Sequence, residues 1–231
     1  REDRRTEFFL YYSGHSNEEG LLINGELLTY RSLREEMKSV DADISVAILD
    51  SCASGAFIRI KGGKRVAPFM LDESTSMKGQ VYLSSSSEDE ASQESDEIGA
   101  SFFTHSLISA LRGAADFSSD RQITIHEAYQ YARSDTIART ENTFAGTQHP
   151  SWHIELTGTG DLVLTDLREL AAGVVLAAEL EGQIYILDGS QKLVAEVKKS
   201  AGTPITLALP VGSYTITSRT DDQQLESIVT L

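Results

Sequence analysis

Cysteine is almost absent: Cys52 is the sole one in 231 residues. A single thiol excludes an internal disulfide framework, so the fold must rest on its core. No run approaches the roughly 20 apolar residues that span a bilayer. The opening Arg-Glu-Asp-Arg-Arg also lacks the apolar segment of a signal peptide. Positive charge is scarce, 20 Lys and Arg against 35 Asp and Glu, for a net charge of −15. That balance argues against nucleic acid or an anionic membrane as partner, since both need clustered cations, and it suits basic partners. No Gly-x-Ser-x-Gly elbow occurs, which argues against a serine hydrolase. What the chain does have is 40% hydrophobic residues, enough for one large domain, or a domain and a small module, with a real core.

The chain is organised around Ile44 to Gly55, Ile-Ser-Val-Ala-Ile-Leu-Asp-Ser-Cys-Ala-Ser-Gly. A short β-rich run closing on small residues reads as a buried strand that delivers Cys52 to the carboxyl edge of a sheet. That edge is where α/β folds place their chemistry. Glu7 to His15, Glu-Phe-Phe-Leu-Tyr-Tyr-Ser-Gly-His, has the same form and delivers a histidine. Free cysteine usually packs as a small hydrophobe, so Cys52 alone says little. A strand-end His followed 37 residues later by a strand-end Cys (52 − 15) is the arrangement of a thiol nucleophile and its base.

Tyr-Ser-Gly-His-Ser (12 to 16) and Leu-Asp-Ser-Cys-Ala-Ser-Gly (49 to 55) resemble the two catalytic motifs of caspase-like cysteine peptidases, closest to bacterial members and metacaspases. Similar segments continue in order at 81 to 95, 99 to 113 and 148 to 150, so that the resemblance covers about residues 6 to 166. It implies an α/β fold, a caspase-like sheet flanked by helices, and a Cys52–His15 dyad acting on a protein or peptide substrate. It implies an oxyanion hole of backbone N–H groups at Cys52 and Ser16. Ser16 stands where many relatives have Gly, and a left-handed backbone there would strain a serine. Asp50, two positions before Cys52, lies on the nucleophile's side of the strand. In metacaspases such an Asp accepts the Arg or Lys preceding the cut, and Asp89 is the plausible second acid of this S1 site. The non-catalytic alternative for Asp50 is that it bonds local amides. In caspase-like folds a strand and helix precede the His-bearing strand, so the chain reads as a fragment, and an N-terminal segment or another chain is expected to complete the sheet. A thiol nucleophile also prefers reducing conditions, and the expected compartment is the cytoplasm.

Elsewhere the reading is structural. Asn-Gly within Leu21 to Leu28 marks a hairpin, and Tyr30 to Val40 an amphipathic helix burying Leu33 and Met37. Ile58 to Lys78, with Arg59, Lys61, Lys64 and Arg65 around a Gly-Gly pair, reads as a mobile basic loop; the resemblance adds the sharper reading of an autoprocessing site. Gln80 to Leu83 is a core strand. The polar run after it carries Glu88, Asp89, Glu90, Glu94, Asp96 and Glu97, a solvated loop that suits a weak Ca2+ site at most. No cofactor is required. Ala100 to Leu111 and Thr124 to Ala138 read as helices, the second with a Thr124–Glu127 capping box; His105 and His126 on them have no metal-ligand spacing. Trp152 to Leu156 and Asp161 to Leu164 close a catalytic domain over 1–168. Residues 169–231 show about five short alternating runs, a small β-sandwich read as a docking or regulatory module. The rival to an enzyme is a caspase-like scaffold that binds peptides without cutting them.

Overall fold

The structure, a computed structural model, describes residues 5–52, 54–58, 77–87, 90–95 and 98–231. The basic loop, Glu88, Asp89, Asp96 and Glu97 lie outside the described residues. Strands β1 (Glu7–Gly14), β2 (Gly20–Ile23) and β3 (Glu26–Thr29) lead into helix α1 (Tyr30–Ser39), strand β4 (Ile44–Ser51), the single turn α2 (Gly55–Ile58) and strand β5 (Lys78–Ser84). There follow β6 (Glu94–Ser95), β7 (Ala100–Ser101), helix α3 (Phe102–Ser109), β8 (Gln122–Thr124), helix α4 (Ile125–Thr140), β9 (Ser151–Thr157) and β10 (Val163–Asp166). The last stretch is all β: β11 (Gly173–Leu176), β12 (Gly182–Asp188), β13 (Leu193–Lys199), β14 (Ile205–Ala208), β15 (Ser213–Arg219) and β16 (Gln224–Thr230).

The contacts form two compact units, each discontinuous in sequence: Arg1–Gln93 with Thr136–Gly160, and Glu94–Asp135 with Asp161–Leu231. The first holds a four-stranded sheet in the order β1-β4-β5-β9, with β1, β4 and β5 parallel and β9 antiparallel to β5. β4 is central and buried along nearly its whole length, as its uninterrupted apolar run demands. β1 alternates instead, its Phe8, Leu10 and Tyr12 packing on a core of Leu21, Leu33, Met37, Leu49, Phe57 and Tyr82, while Phe9 on the other face is 49% exposed. Among the described residues no strand pairs with the outer side of β1. Asn24 and Gly25 turn the β2–β3 hairpin, both with positive φ. Thr29 caps α1 by accepting from the Ser32 N–H at 3.1 Å, and Leu33 and Met37 are buried as their spacing requires.

In the second unit the start of α4 has the capping box: Thr124 N–H donates to Glu127 Oε2 at 3.0 Å and Glu127 N–H to Thr124 Oγ1 at 3.2 Å. The helix expected over Ala100 to Leu111 is α3 followed by a wider turn, Ala110–Ala114, in which Gly113 has φ 126. A Cβ at Gly113 would lie 2.0 Å from the Thr206 carbonyl oxygen, so close approach by β14 sets this break. The C-terminal runs make six strands rather than five, because Gly173–Leu176 pairs with β14. That ribbon and the sheet β13-β12-β15-β16 share one apolar core containing Leu176, Ile184, Ile186, Val197, Leu207 and Tyr214. Tyr214 Oη donates to the Pro210 carbonyl at 2.8 Å and fixes the Pro-Val-Gly-Ser-Tyr turn.

Candidate active site

The parallel register of β1 on β4 pairs Tyr12 with Leu49, Ser13 with Asp50 and Gly14 with Ser51. His15 and Cys52 therefore leave neighbouring strands one residue past the last pair. Ser16 bridges the two tips directly, its hydroxyl donating to the Cys52 carbonyl. Ser16 is not among the positive-φ residues, so serine sits here without the strain that a left-handed backbone would impose. Tyr12 Oη donates to the carbonyls of His15, at 2.7 Å, and Leu22, at 3.1 Å, and so ties the histidine to the following hairpin. A Cβ at Gly14 would stand 2.8 Å from that pinned hydroxyl, which accounts for glycine before the histidine. His15 is exposed and Cys52 partly buried, an arrangement open to an incoming chain.

Behind Cys52 the turn hangs on serine hydroxyls. The Ser51 carbonyl accepts from Ser54 Oγ at 2.7 Å and Ser86 Oγ at 3.2 Å, and the Ser51 N–H donates to Ser85 Oγ at 3.2 Å. Ser54 and Ser84 exchange a hydrogen bond at 2.6 Å, and Gln148 Nε2 donates to the Ser85 carbonyl at 2.7 Å. Ser54, Ser84, Ser85, Ser86 and Gln148 are fully buried, where such bonds are worth most and their loss costs most. The Ser-Ser-Ser-Ser run 84 to 87 reads as part of a polar surface loop; its first three residues belong instead to the support of the Cys52 turn. In the sequence Gln148 stands only within Gln-His-Pro (148 to 150), and a lone Gln in a loop carries no signal of such a role.

Asp50 is 4% exposed and its Oδ1 accepts from Ser92 Oγ at 2.7 Å. Asp89 lies outside the described residues. Of the other loop acids, Glu90 accepts from the His149 N–H and ring Nδ1, each at 2.7 Å, which fastens the loop to the entry of β9. Burial opposes ionisation of Glu90, but the bonds from His149 and Ser87 outweigh it and hold the carboxyl below the usual glutamate range. Among the described residues no group of three or more His, Cys, Asp or Glu is placed to hold a metal ion.

Tyr30 is a further polar group that the sequence does not mark. It is 3% exposed, and its Oη makes no well-formed hydrogen bond among the described residues. Burial raises its phenol pKa, Ser16 opposes the shift, and Tyr12 and Cys52 add to it. In sequence Tyr30 reads as the first residue of an amphipathic helix and nothing more.

His105 and His126 belong to the second unit. His105 Nε2 lies 3.9 Å from Glu196 Oε2 in a buried setting, and His126 Nδ1 lies 2.9 Å from Asp161 Oδ1.

The α/β sheet thus brings a histidine and the sole cysteine to adjacent parallel strand tips. A family model for the caspase domain matches residues 1–159, more than half of the chain, and the chain therefore belongs to that family of cysteine peptidases. No curated protein matches the chain significantly.

Proposed function

We propose that the chain is an active cysteine endopeptidase that cuts after Arg or Lys, with Cys52 as nucleophile and His15 as its proton partner. The observation that carries this reading is the β1–β4 register, which ends both strands at the same level with His15 and Cys52 next in each chain. The Cys52 thiolate adds to the substrate carbonyl; the tetrahedral intermediate collapses as the His15 imidazolium protonates the leaving amine, giving a thioester. Water, losing a proton to His15, then releases the acid and restores the thiol. Backbone N–H groups of Ser16 and Cys52 stabilise the developing oxyanion.

Specificity follows from Asp50. Its carboxylate is buried beside the nucleophile's strand end and held by Ser92, and a buried carboxylate favours a cationic side chain strongly, since loss of one partner of such a pair typically costs about 2–5 kcal/mol. Asp89 completes the S1 site in this reading. The basic segment 58 to 78 is itself a substrate sequence for such a pocket, so the enzyme processes its own chain there. The outer edge of β1, with Phe9 half exposed, receives a strand from an N-terminal segment or another chain.

The test is cleavage of a positional peptide library by wild-type protein, Cys52→Ala and Asp50→Ala, with N-terminal sequencing of the same incubations. Wild-type protein should cut after Arg or Lys and release a new N-terminus between 59 and 78. Asp50→Ala should lose turnover while Cys52 still reacts with a peptidyl fluoromethylketone. Efficient cutting after Asp would refute the specificity, and a Cys52 that never labels would leave a peptide-binding scaffold.

A further inference from the structure

Strand β5 runs parallel to β4 with Leu49 opposite Ser84, so the residues that leave β5 pass beside those that lead into Cys52. The Ser85 N–H donates to the Leu49 carbonyl at 2.9 Å and carries the ladder one step past Ser84. That register sets Ser86 level with Ser51, and Ser86 Oγ donates to the Ser51 carbonyl at 3.2 Å. Ser54 Oγ reaches the same oxygen at 2.7 Å, but it also exchanges a bond with Ser84 and has one proton for the two. Ser86 Oγ has no second acceptor among the described residues.

The Ser51 carbonyl and the Cys52 N–H belong to one peptide unit, and it is trans. A trans unit points its C=O and its N–H to opposite sides. Because the oxygen is turned into the fully buried hydroxyls of Ser54 and Ser86, the Cys52 N–H faces away from them. Ser16 gives its proton to the Cys52 carbonyl, so the peptide units on both sides of the cysteine are held.

We infer that Ser86 is a positioning residue of the oxyanion hole: its hydroxyl, fixed on the Ser51 carbonyl, sets the plane of the Ser51–Cys52 peptide and aims the Cys52 N–H at the oxygen that takes up charge. The inference rests on the thiol-acylation reading above and deepens it. Donation to a peptide carbonyl also polarises the unit and strengthens its N–H as a donor. The benefit is felt only when a carbonyl oxygen becomes an anion.

Two reagents separate that role from plain support of the turn. Iodoacetamide alkylates the Cys52 thiolate by displacing iodide at a saturated carbon; one C–S bond forms and no oxygen gains charge. With p-nitrophenyl acetate the thiolate adds to the ester carbonyl, whose oxygen carries the negative charge until collapse expels p-nitrophenolate and leaves a thioester. Cys52 is the chain's one thiol, so the mass gained there reads both reactions without a peptide substrate.

Both rates are measured near neutral pH on the full chain for wild type, Ser86→Ala, Ser87→Ala and His15→Ala, each with a melting curve. Ser86→Ala should acylate about ten-fold more slowly, the scale of one well-made hydrogen bond, and alkylate at the wild-type rate. Ser87→Ala, one position beyond the network, should match wild type in both. Rates that fall together in Ser86→Ala mean support of the turn alone and overturn the inference, as does unchanged acylation, or an equal loss of acylation in Ser87→Ala. If His15→Ala leaves alkylation untouched, the dyad reading fails, and the split between the two rates in Ser86→Ala still decides the oxyanion role. Should Ser86→Ala not fold, the same rates are read in Ser54→Ala, which removes the other donor to that carbonyl; a split there upholds the inference, and rates that fall together or stay unchanged overturn it.

Discussion

Single side chains set how the loop beside the candidate site is held. The carboxylate of Glu90 takes two bonds from His149, and its folded pKa lies below the ordinary value. For a group depressed on folding, the stabilisation is complete above the unfolded pKa, about 4.3 for glutamate, and fades as pH falls through the lower folded value. Hydrogen exchange at the His149 amide should therefore stay protected near about pH 5 and lose protection only in stronger acid, below about pH 4. Loss of protection between about pH 6 and pH 5 would contradict that order, because Glu is ionised in both states there. Residues of this kind divide sharply in legibility. Cys52 and His15 stand out because each ends an apolar run on small residues. Ser54, Ser84, Ser85, Ser86 and Gln148 do not, since a hydroxyl or amide looks the same in a wet loop as in a buried network until its partners are known.

Among the elements, the ones that carry chemistry follow from pattern alone, and the interruptions do not. β4 is an unbroken apolar run, α1 and α4 carry their caps in adjacent residues, and the β2–β3 hairpin is written in Asn24-Gly25. The sequence pattern closes α3 and its wider last turn at Gly113, where the positive φ falls, but it carries no trace of the distant neighbour that packs there, the Thr206 carbonyl of β14. β11 escaped notice for a similar reason, since its four residues gain a partner only through β14. Gly113→Ala gives the measure of that contact. The added methyl meets a carbonyl oxygen on a backbone with φ 126, and the variant should lose more than about 2 kcal/mol of stability in denaturant titration. A loss within about 0.5 kcal/mol, the ordinary range for surface changes, would mean that the break at Gly113 does not depend on β14.

Over the whole molecule, the family match stops at residue 159 and the sequence pattern changes near 168, while the contacts group Glu94–Asp135 with Asp161–Leu231. Sequence similarity follows descent along the chain and packing follows shared apolar surface, so the two divisions need not agree. Ala114 belongs to the same core as Leu176, Ile184 and Leu207, and Tyr131 packs against it and donates to the Glu196 carbonyl at 3.2 Å. A chain ending at Arg168 should thus expose Ala114 and Tyr131, melt lower than the full chain and bind a hydrophobic dye; an unchanged melting temperature would show the C-terminal strands to be dispensable to that packing. The interleaving also bears on how the protein is made. The backbone passes from one unit to the other after Gln93, Asp135 and Gly160. On the ribosome the strand tips with His15 and Cys52 emerge early, but β9 has to be synthesised before the first sheet is whole, and the second unit waits for the final strand. The first unit is finished at Gly160, after 94 to 135 of the second have already been made, so the sheet that presents Cys52 is completed with part of the other unit already synthesised.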